Sequence, residues 1–255
     1  MSLTFLSRGY RLIKATRNWH DILLFELKLK KSVVAQFRSG ARILYTPPLF
    51  NIEQFLDEPY KCLSVEGKDV VDIGAFNGDS AIYFSLKGAK RVYAFEPYPY
   101  AFNAAVQNIR LNNLRNIEIY NEALGGEVGQ VILDEHYRSH SKSILRKVQV
   151  GRKVTVATLG TLVHRFNLKD AALKIDCEGC EHQAFSSSDT ATLNAFSQII
   201  LEYHYQGYKD IAEKLKSAGF QTKFLDTRGS PVNQPKPRLG LLYAYKKPAS
   251  PIGRL

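Results

Sequence analysis

Apolar runs alternate with helical periods through most of the chain. From Asp69 onward, short apolar runs such as DVVDIG and RVYAF are separated by segments such as YAFNAAVQNIRLNN, whose apolar residues recur at helical spacing. Strands without polar alternation, separated by helices, indicate a parallel sheet that is covered on both faces. The pattern therefore predicts a doubly wound, Rossmann-like α/β fold. The run at 239–246 follows its predecessor without an intervening helix, so we expect that last strand to be antiparallel.

The first sixty residues have a different pattern. Residues 1–18 place basic side chains at helical spacing beside apolar ones, which predicts a short basic amphipathic helix. Residues 24–45 alternate apolar and polar positions on both sides of Ser39-Gly40, which is typical of a hairpin, and residues 49–63 carry apolar positions at helical spacing. We therefore expect an N-terminal helix, hairpin and helix extension over 1–60, a main domain over 61–246 and a tail over 247–255.

Length and cysteine content limit the class of protein. The chain has 255 residues, enough for one large domain, and it has no apolar run near the roughly 18 residues that a bilayer crossing needs. Its start lacks the basic and apolar regions of a signal peptide, so we expect a cytoplasmic protein. Three cysteines are too few for a disulfide framework, which fits a reducing compartment.

The net charge of +11 favours anionic partners, but nucleic acid, acidic lipid and phosphorylated metabolites attract such a chain alike. The N-terminal helix would most often be a solvated face, with peripheral membrane or RNA contact as the alternative. The segment 136–153 holds six lysines or arginines and no acid. A solvated loop is the commoner interpretation of such a segment, and a substrate lid is the alternative.

A glycine turn follows the first strand of the parallel series, in the sequence VVDIGAFNGDS at 70–80. A dinucleotide site needs a middle glycine, which is absent between Gly74 and Gly78, and the phosphate-binding loop with lysine is absent as well. Asp72 and Asp79 flank the turn, and the acid at the helix start, Asp79, would repel a phosphate. They suit a ligand with a cationic end, and S-adenosylmethionine has an ammonium group and a sulfonium.

The next two strand ends carry residues that suit a nucleoside. Glu96 lies about 20 residues beyond the glycine turn, where an acid can accept hydrogen bonds from ribose hydroxyls. Pro97 and Tyr98 follow and could cover one face of an adenine. Glu122 and Ala123 end the third strand and can offer an acceptor and a backbone amide to the adenine edge. Since NAD also carries a ribose, these positions leave the nucleotide open.

The fourth strand end carries the candidate chemistry. Asp176 and Glu178 in LKIDCEGCE, with His204 at the next strand end, could act as a general base on an acceptor hydroxyl or hold the acceptor. A divalent cation is compatible with this acidic cluster but not indicated by it, and we predict no metal ligands. For Cys177 and Cys180 we favour small apolar fillers packed beneath the site over a redox pair or zinc ligands.

The segments VVDIGAFNGDS, VYAFEP, NEALG and LKIDCEGCE, in this order, resemble the FkbM family of S-adenosylmethionine-dependent methyltransferases. The resemblance covers about 70–204 and implies a class I methyltransferase fold and, commonly, O-methylation of a hydroxyl on a sugar, polyketide or similar metabolite. Cys177 and Cys180 depart from the family pattern. By motif, the resemblance assigns a methionine-side loop of Asp72, Gly74, Phe76, Asn77 and Gly78, a ribose contact at Glu96, an adenine neighbourhood at Glu122 and Ala123, and an acceptor side at Asp176 and Glu178.

Two other functions stay open. An RNA methyltransferase is favoured by the net charge, by the basic run 138–153 and by the N-terminal helix, although the sequence contains no RNA-binding module and no N-P-P-Y signature. A dinucleotide-binding Rossmann protein lacks its middle glycine. The expected partner is a small-molecule or glycan acceptor, and the basic net charge would also suit an anionic one.

Overall fold

The computed structural model describes residues 3–134, 150–204 and 207–246. Most of the segment 136–153, for which a lid was one alternative, lies outside these residues, and so does the predicted tail 247–255. Within the described residues, no helix combines the length and apolar character needed to cross a bilayer.

The N-terminal segment contains two helices, a hairpin and a third short helix. They are α1 (Leu3–Ala15), α2 (Trp19–Glu26), β1 (Val33–Gln36), β2 (Arg42–Tyr45) and α3 (Glu53–Leu56). The hairpin prediction is confirmed for β1 and β2, which pair antiparallel across Gly40 at φ +97°. It began too early, because residues 24–26 belong to α2. That helix buries Ile22 and Phe25, three positions apart.

Two basic side chains of α1 are used inside the protein. The Arg8 guanidinium lies 2.8 Å from the Glu26 carboxylate and 3.2 Å from the Glu53 carboxylate, and Arg11 forms an ion pair with Asp57. These contacts hold α1 against α2 and α3. This part of the basic helix therefore does not form a free face for lipid or RNA.

The main domain alternates strands and helices as the sequence predicts. Its elements are β3 (Asp69–Ile73), α4 (Asp79–Leu86), β4 (Arg91–Phe95), α5 (Pro99–Leu111), β5 (Ile117–Tyr120), β6 (Glu122–Leu124), β7 (Gly129–Leu133), β8 (Arg152–Ala157), α6 (Leu159–Phe166), β9 (Ala171–Ile175), α7 (Glu181–Ser187), α8 (Thr190–Asn194), β10 (Phe196–His204), α9 (Tyr208–Ser217), β11 (Gln221–Leu225) and β12 (Leu239–Tyr245).

The central sheet has seven strands in the order β11-β12-β10-β9-β3-β4-β5. Strands β10, β9, β3, β4 and β5 are parallel, and β12 is antiparallel to both of its neighbours, as predicted. Val70 packs with α4 and α5 on one face, and the next residue, Val71, packs with α6 to α9 on the other. The doubly wound fold is confirmed. Parallel order also brings the carboxyl ends of β3, β4, β9 and β10 to one edge.

A small second sheet, in the order β6-β8-β7, was not predicted. The sequence run at 116–124 reads as one strand, but the structure divides it at Asn121. The Asn121 amide donates to the carbonyl oxygens of Glu96 and Pro97, both at 2.9 Å. This contact ties the chain to the end of β4, so that Glu122 and Ala123 enter the small sheet beside the site.

The N-terminal segment and the main domain share one apolar cluster. Phe55 of α3 stacks on Phe37 with ring centroids 4.3 Å apart and meets Tyr83 of α4 at 6.2 Å. Burying each large side chain of this kind stabilises the fold by about 1.5–3 kcal/mol. The segment 49–60 is thereby held against α4, where it forms one wall of the cavity described below.

Candidate active site

A cavity of about 420 Å³ opens at the edge where β3, β4, β9 and β10 end. Small ligands typically occupy cavities of about 300–1,000 Å³. The predicted site residues that line it are Gly74, Phe76, Glu96, Pro97, Tyr98, Glu122, Ala123, Asp176 and Glu178. The segment before β3 supplies a second group of lining residues, which are Leu49, Phe50, Asn51, Glu53, Gln54, Pro59 and Tyr60.

The glycines of the turn are required by contacts within the protein. A Cβ at Gly74, where φ is +74°, would lie 1.7 Å from the carbonyl oxygen of Asp176. A Cβ at Gly78 would lie 3.2 Å from Ala105 of α5. The turn is thus pressed against the end of β9 and against α5. This packing places Gly74 beside Asp176 in the cavity, while Gly78 lies outside the lining.

Asp72 has a different role from the predicted ligand contact. Its side chain is fully buried beneath the turn, with one carboxylate oxygen 3.0 Å from the Lys174 ammonium and the other accepting from the Ser80 hydroxyl at 2.6 Å. The ammonium also donates to the carbonyl oxygens of Ile73 and Gly74, at 3.1 and 2.8 Å. Burial lowers the pKa of Lys174, but the negative charges of Asp72, Asp176 and Asp79 outweigh burial and raise the pKa above its usual value. This buried ion pair holds the turn in place.

Asn77 is likewise structural. It is fully buried, and its side-chain amide donates to the carbonyl oxygen of Leu49 at 3.3 Å. The Asn108 amide donates to the Asn77 carbonyl oxygen at 2.9 Å. Asn77 therefore ties the glycine turn to the N-terminal segment on one side and to α5 on the other.

Two backbone hydrogen bonds hold the predicted ribose contact Glu96 in position. Its two carboxylate oxygens accept hydrogen bonds from the backbone N–H groups of Phe76 and Tyr98, both at 2.9 Å. Burial raises the pKa of Glu96 to about 7, although these two hydrogen bonds act in the opposite direction. Since each carboxylate oxygen can accept more than one hydrogen bond, the pair of oxygens suits two neighbouring ribose hydroxyls.

At the adenine side, Glu122 and Ala123 both line the cavity. The Glu122 carboxylate is already engaged, because the Arg165 guanidinium donates to both of its oxygens at 3.0 Å. The Arg165 group also lies over the ring of Tyr120 at 5.7 Å. A ligand therefore meets a neutralised carboxylate here.

The predicted acceptor residues Asp176 and Glu178 line the cavity, together with Glu202, which the sequence did not indicate. The Tyr60 hydroxyl donates to the Asp176 carboxylate at 3.4 Å. Burial raises the pKa of Asp176 well above its usual range, with a further contribution from the charge of Glu202. Asp176 is thus a stronger base than an exposed aspartate.

His204 lies behind these carboxylates and is not among the lining residues. Its ring nitrogens are 3.3 Å from Glu178, 3.4 Å from Glu181 and 3.5 Å from Glu202. Burial lowers the pKa of His204, but hydrogen bonds to Glu181 and Glu202, with the surrounding negative charge, raise it to about 11. At neutral pH the side chain is therefore an imidazolium, which supplies positive charge and has no lone pair to accept a proton.

A metal ion has one candidate group within the described parts of the chain. Ligand atoms of Asp176, Glu202 and His204 lie within 4.8 Å of one another. A histidine binds metal through a neutral ring, so binding here would first have to remove a proton from a group of high pKa. The imidazolium already supplies the positive charge that these carboxylates attract.

Cys177 and Cys180 form a disulfide at the rim of the acceptor side, which corrects the prediction of two separate apolar fillers. The two residues between them, Glu178 and Gly179, have positive φ values of 55° and 119°, so the chain reverses and its ends meet. The backbone N–H groups of Cys177 and Gly179 donate to the buried carboxylate of Glu181, at 3.2 and 2.9 Å. The closed loop fixes Glu178 against His204.

S-adenosylmethionine fits the residues of this cavity. Six of the described lining residues are aspartate or glutamate, and none is lysine or arginine. This acidic lining suits a ligand that carries an ammonium and a sulfonium. Glu96 suits its ribose. Gln54, which sequence reasoning missed, lines the cavity with its side-chain nitrogen buried and without a hydrogen-bond partner in the described structure. Such a donor suits a ligand oxygen.

Fold and site together define the class of protein, which is that of class I S-adenosylmethionine-dependent methyltransferases. The sequence model of the methyltransferase FkbM domain matches residues 72–222. That range is more than half of the 255 residues, and the chain belongs to this family. The comparison with curated proteins found no match.

Solved structures of low sequence identity are similar to the chain. A precorrin-6y C5,15-methyltransferase from Geobacter metallireducens is 13% identical, with 80% of this chain and 94% of that chain covered and a TM-score of 0.48. M. jannaschii TYW2 in complex with AdoMet is 15% identical, with 85% of each chain covered and a TM-score of 0.49. An rRNA methylase from Streptococcus thermophilus is 17% identical, with 76% and 93% covered and a TM-score of 0.45. Structural similarity at this level does not identify the methyl acceptor.

Proposed function

We propose that this protein transfers the methyl group of S-adenosylmethionine to a hydroxyl oxygen of a small-molecule or glycan acceptor. The observation that carries the proposal is the position of Asp176, whose carboxylate has a raised pKa and lines the same cavity as Gly74 and Glu96. A base beside the nucleotide site is what transfer to a neutral hydroxyl requires.

When bound, S-adenosylmethionine supplies a methyl group on a positively charged sulfur. We assign Asp176 to take the acceptor's hydroxyl proton, with the Tyr60 hydroxyl orienting its carboxylate. Glu178 and Glu202 would accept hydrogen bonds from the acceptor, while the His204 imidazolium offsets their charge. General base assistance of this kind typically contributes about 10²- to 10⁴-fold in rate, and the walls of the cavity would add alignment of the two reactants.

The cavity favours a neutral or cationic acceptor over RNA. Its described lining holds six carboxylates and neither lysine nor arginine, so a phosphate backbone entering the cavity would meet acidic groups whose charge is only partly offset by Arg165 and His204 behind them. The same argument disfavours NAD, whose pyrophosphate is anionic. Most of the basic run 138–153 lies outside the described residues, and RNA is kept as one acceptor class in the screen.

Titration calorimetry with S-adenosylhomocysteine and, in parallel, NAD tests the cofactor. We expect S-adenosylhomocysteine alone to bind and Glu96→Ala to lose that binding. Binding of NAD alone would reject the methyltransferase site. Transfer of labelled methyl to hydroxyl-bearing metabolites, glycans and RNA then identifies the acceptor class.

The Asp176→Asn variant tests the base. We expect it to bind S-adenosylhomocysteine as the wild type does and to lose about 10²- to 10⁴-fold in kcat. Full activity of this variant would remove the base role. Activity that disappears on exhaustive chelation and returns with a divalent cation would instead assign the acidic cluster to a metal.

A further inference from the structure

Among the described residues, the cavity offers no basic side chain to the amino-acid carboxylate of S-adenosylmethionine. Its charged lining residues within the described structure are all acidic, namely Glu53, Glu96, Glu122, Asp176, Glu178 and Glu202. An anionic group that is buried without hydrogen-bond donors is strongly unfavourable. Within the described part of the chain, the carboxylate must therefore be met by neutral donors.

The glycine turn supplies few of those donors. The backbone N–H groups of Gly74 and Ala75 both donate to the carbonyl oxygen of Phe95, at 2.9 and 3.0 Å. The N–H of Phe76 donates to Glu96, and the N–H of Gly78 donates to Ala75 at 2.7 Å. These groups are already used within the protein, so they do not form an anion-binding concavity of the kind found in phosphate loops.

Gln54 is a donor that the protein itself does not use. Its side chain is only 4% exposed, lines the cavity, and has a side-chain nitrogen with no hydrogen-bond partner in the described structure. It lies on α3 beside Phe55, which packs against Tyr83 of α4, the helix that begins at the glycine turn. A buried amide N–H is rarely left without an acceptor, and the side chain that carries this one lines the cavity.

We propose that Gln54 binds the amino-acid carboxylate of S-adenosylmethionine through its side-chain N–H. This inference rests on the proposed function, because it needs that ligand in the cavity. Gln54 precedes residues 72–222, which the family model matches. The N-terminal segment is then part of the nucleotide site as well as a packing element.

Two ligands that differ in the amino-acid group test the inference. S-adenosylhomocysteine carries the carboxylate, whereas 5′-methylthioadenosine keeps the adenosine and sulfur and lacks the amino-acid part. We expect Gln54→Met to weaken binding of S-adenosylhomocysteine by about 10- to 100-fold, the range for a hydrogen bond to a charged group, and to leave 5′-methylthioadenosine unchanged. The matched control is Gln36→Met, the same change at an exposed glutamine of β1, which should alter neither affinity.

The outcomes separate this inference from the proposed function. If wild-type protein binds neither ligand, the proposed function fails. Suppose that the wild type binds both ligands. If Gln54→Met then weakens the binding of both ligands equally, or changes the binding of neither, Gln54 does not contact the carboxylate. Gln54→Glu adds a negative charge and should weaken S-adenosylhomocysteine further, and tighter binding would mean that position 54 faces the ammonium instead. Gln54→Asn, which retracts the amide by one methylene, repeats the test if the other variants do not fold.

Discussion

Replacing Lys174 by methionine tests how the buried ion pair supports the site. The Lys174→Met change leaves the fully buried Asp72 carboxylate without its cationic partner at 3.0 Å and removes two hydrogen bonds to the carbonyl oxygens of the turn. Breaking one side of a buried ion pair typically costs about 3–5 kcal/mol. In a chain of about 250 residues each kcal/mol lowers Tm by about 2–4 °C, so we expect a fall of about 6–20 °C.

The assay is urea unfolding with linear extrapolation, supported by thermal melts. Lys68→Met is the matched control, because Lys68 pairs with the exposed Asp170 and a surface pair contributes at most about 1 kcal/mol. The double variant Asp72→Asn/Lys174→Met should regain most of the loss, since position 72 then carries no charge that needs a cationic partner. A Lys174→Met protein as stable as the Lys68→Met protein would refute the reasoning, and so would a double variant whose loss equals the sum of the two single losses.

Three further predictions concern the turn, a buried acid and the cysteines. Gly74→Ala would place a Cβ 1.7 Å from a backbone oxygen, so we expect loss of folded protein or at least about a tenfold loss of S-adenosylhomocysteine affinity by calorimetry. Burial raises the pKa of Asp79 from 3.8 to about 7, so its charge destabilises the fold above pH 7 and this cost fades as pH falls toward 3.8. Asp79→Asn should therefore raise Tm more at pH 8 than at pH 5, and the reverse order would contradict the assignment. Alkylation of the denatured, unreduced protein should label Cys62 alone, whereas labelling of Cys177 and Cys180 without a reductant would contradict the disulfide.

The sequence predicts the fold well because its signals are local and repeated. Apolar runs without polar alternation predicted the buried strands from Asp69 onward, and the missing helix before residue 239 predicted the antiparallel strand β12. The extent of the hairpin was overestimated because short alternating segments such as LFELKLK also fit one helical turn. The second sheet was missed because its division point is set by the contacts of Asn121 with residues 96 and 97, far away in sequence.

The sequence predicts which strand ends contribute to the site better than it predicts the role of each side chain. Strand-end residues such as Glu96 and Asp176 reach the cavity, because parallel order brings strand ends together. Asp72 has an equally suggestive place in the motif, but its partner Lys174 is about a hundred residues away, and no local pattern reports that pairing. Gln54 and Tyr60 were missed for the same reason, since they reach the cavity only through packing of the N-terminal segment on α4.

The net charge of the chain also differs in sign from the charge of the cavity lining. A net charge of +11 suggests anionic ligands, yet the described cavity lining is entirely acidic among its charged residues. Three cations of the described residues lie behind this lining, Arg165 beside Glu122, Lys174 beneath the turn and the His204 imidazolium beneath the acceptor side. Lys174 and His204 are the two that act on Asp176. They lower the pKa of Asp176, whereas burial and the neighbouring Glu202 raise it, and the raising effects are larger. The proton affinity of the proposed base is therefore set by residues that approach it from different strands, which explains why net charge gave no guide to the chemistry of the cavity.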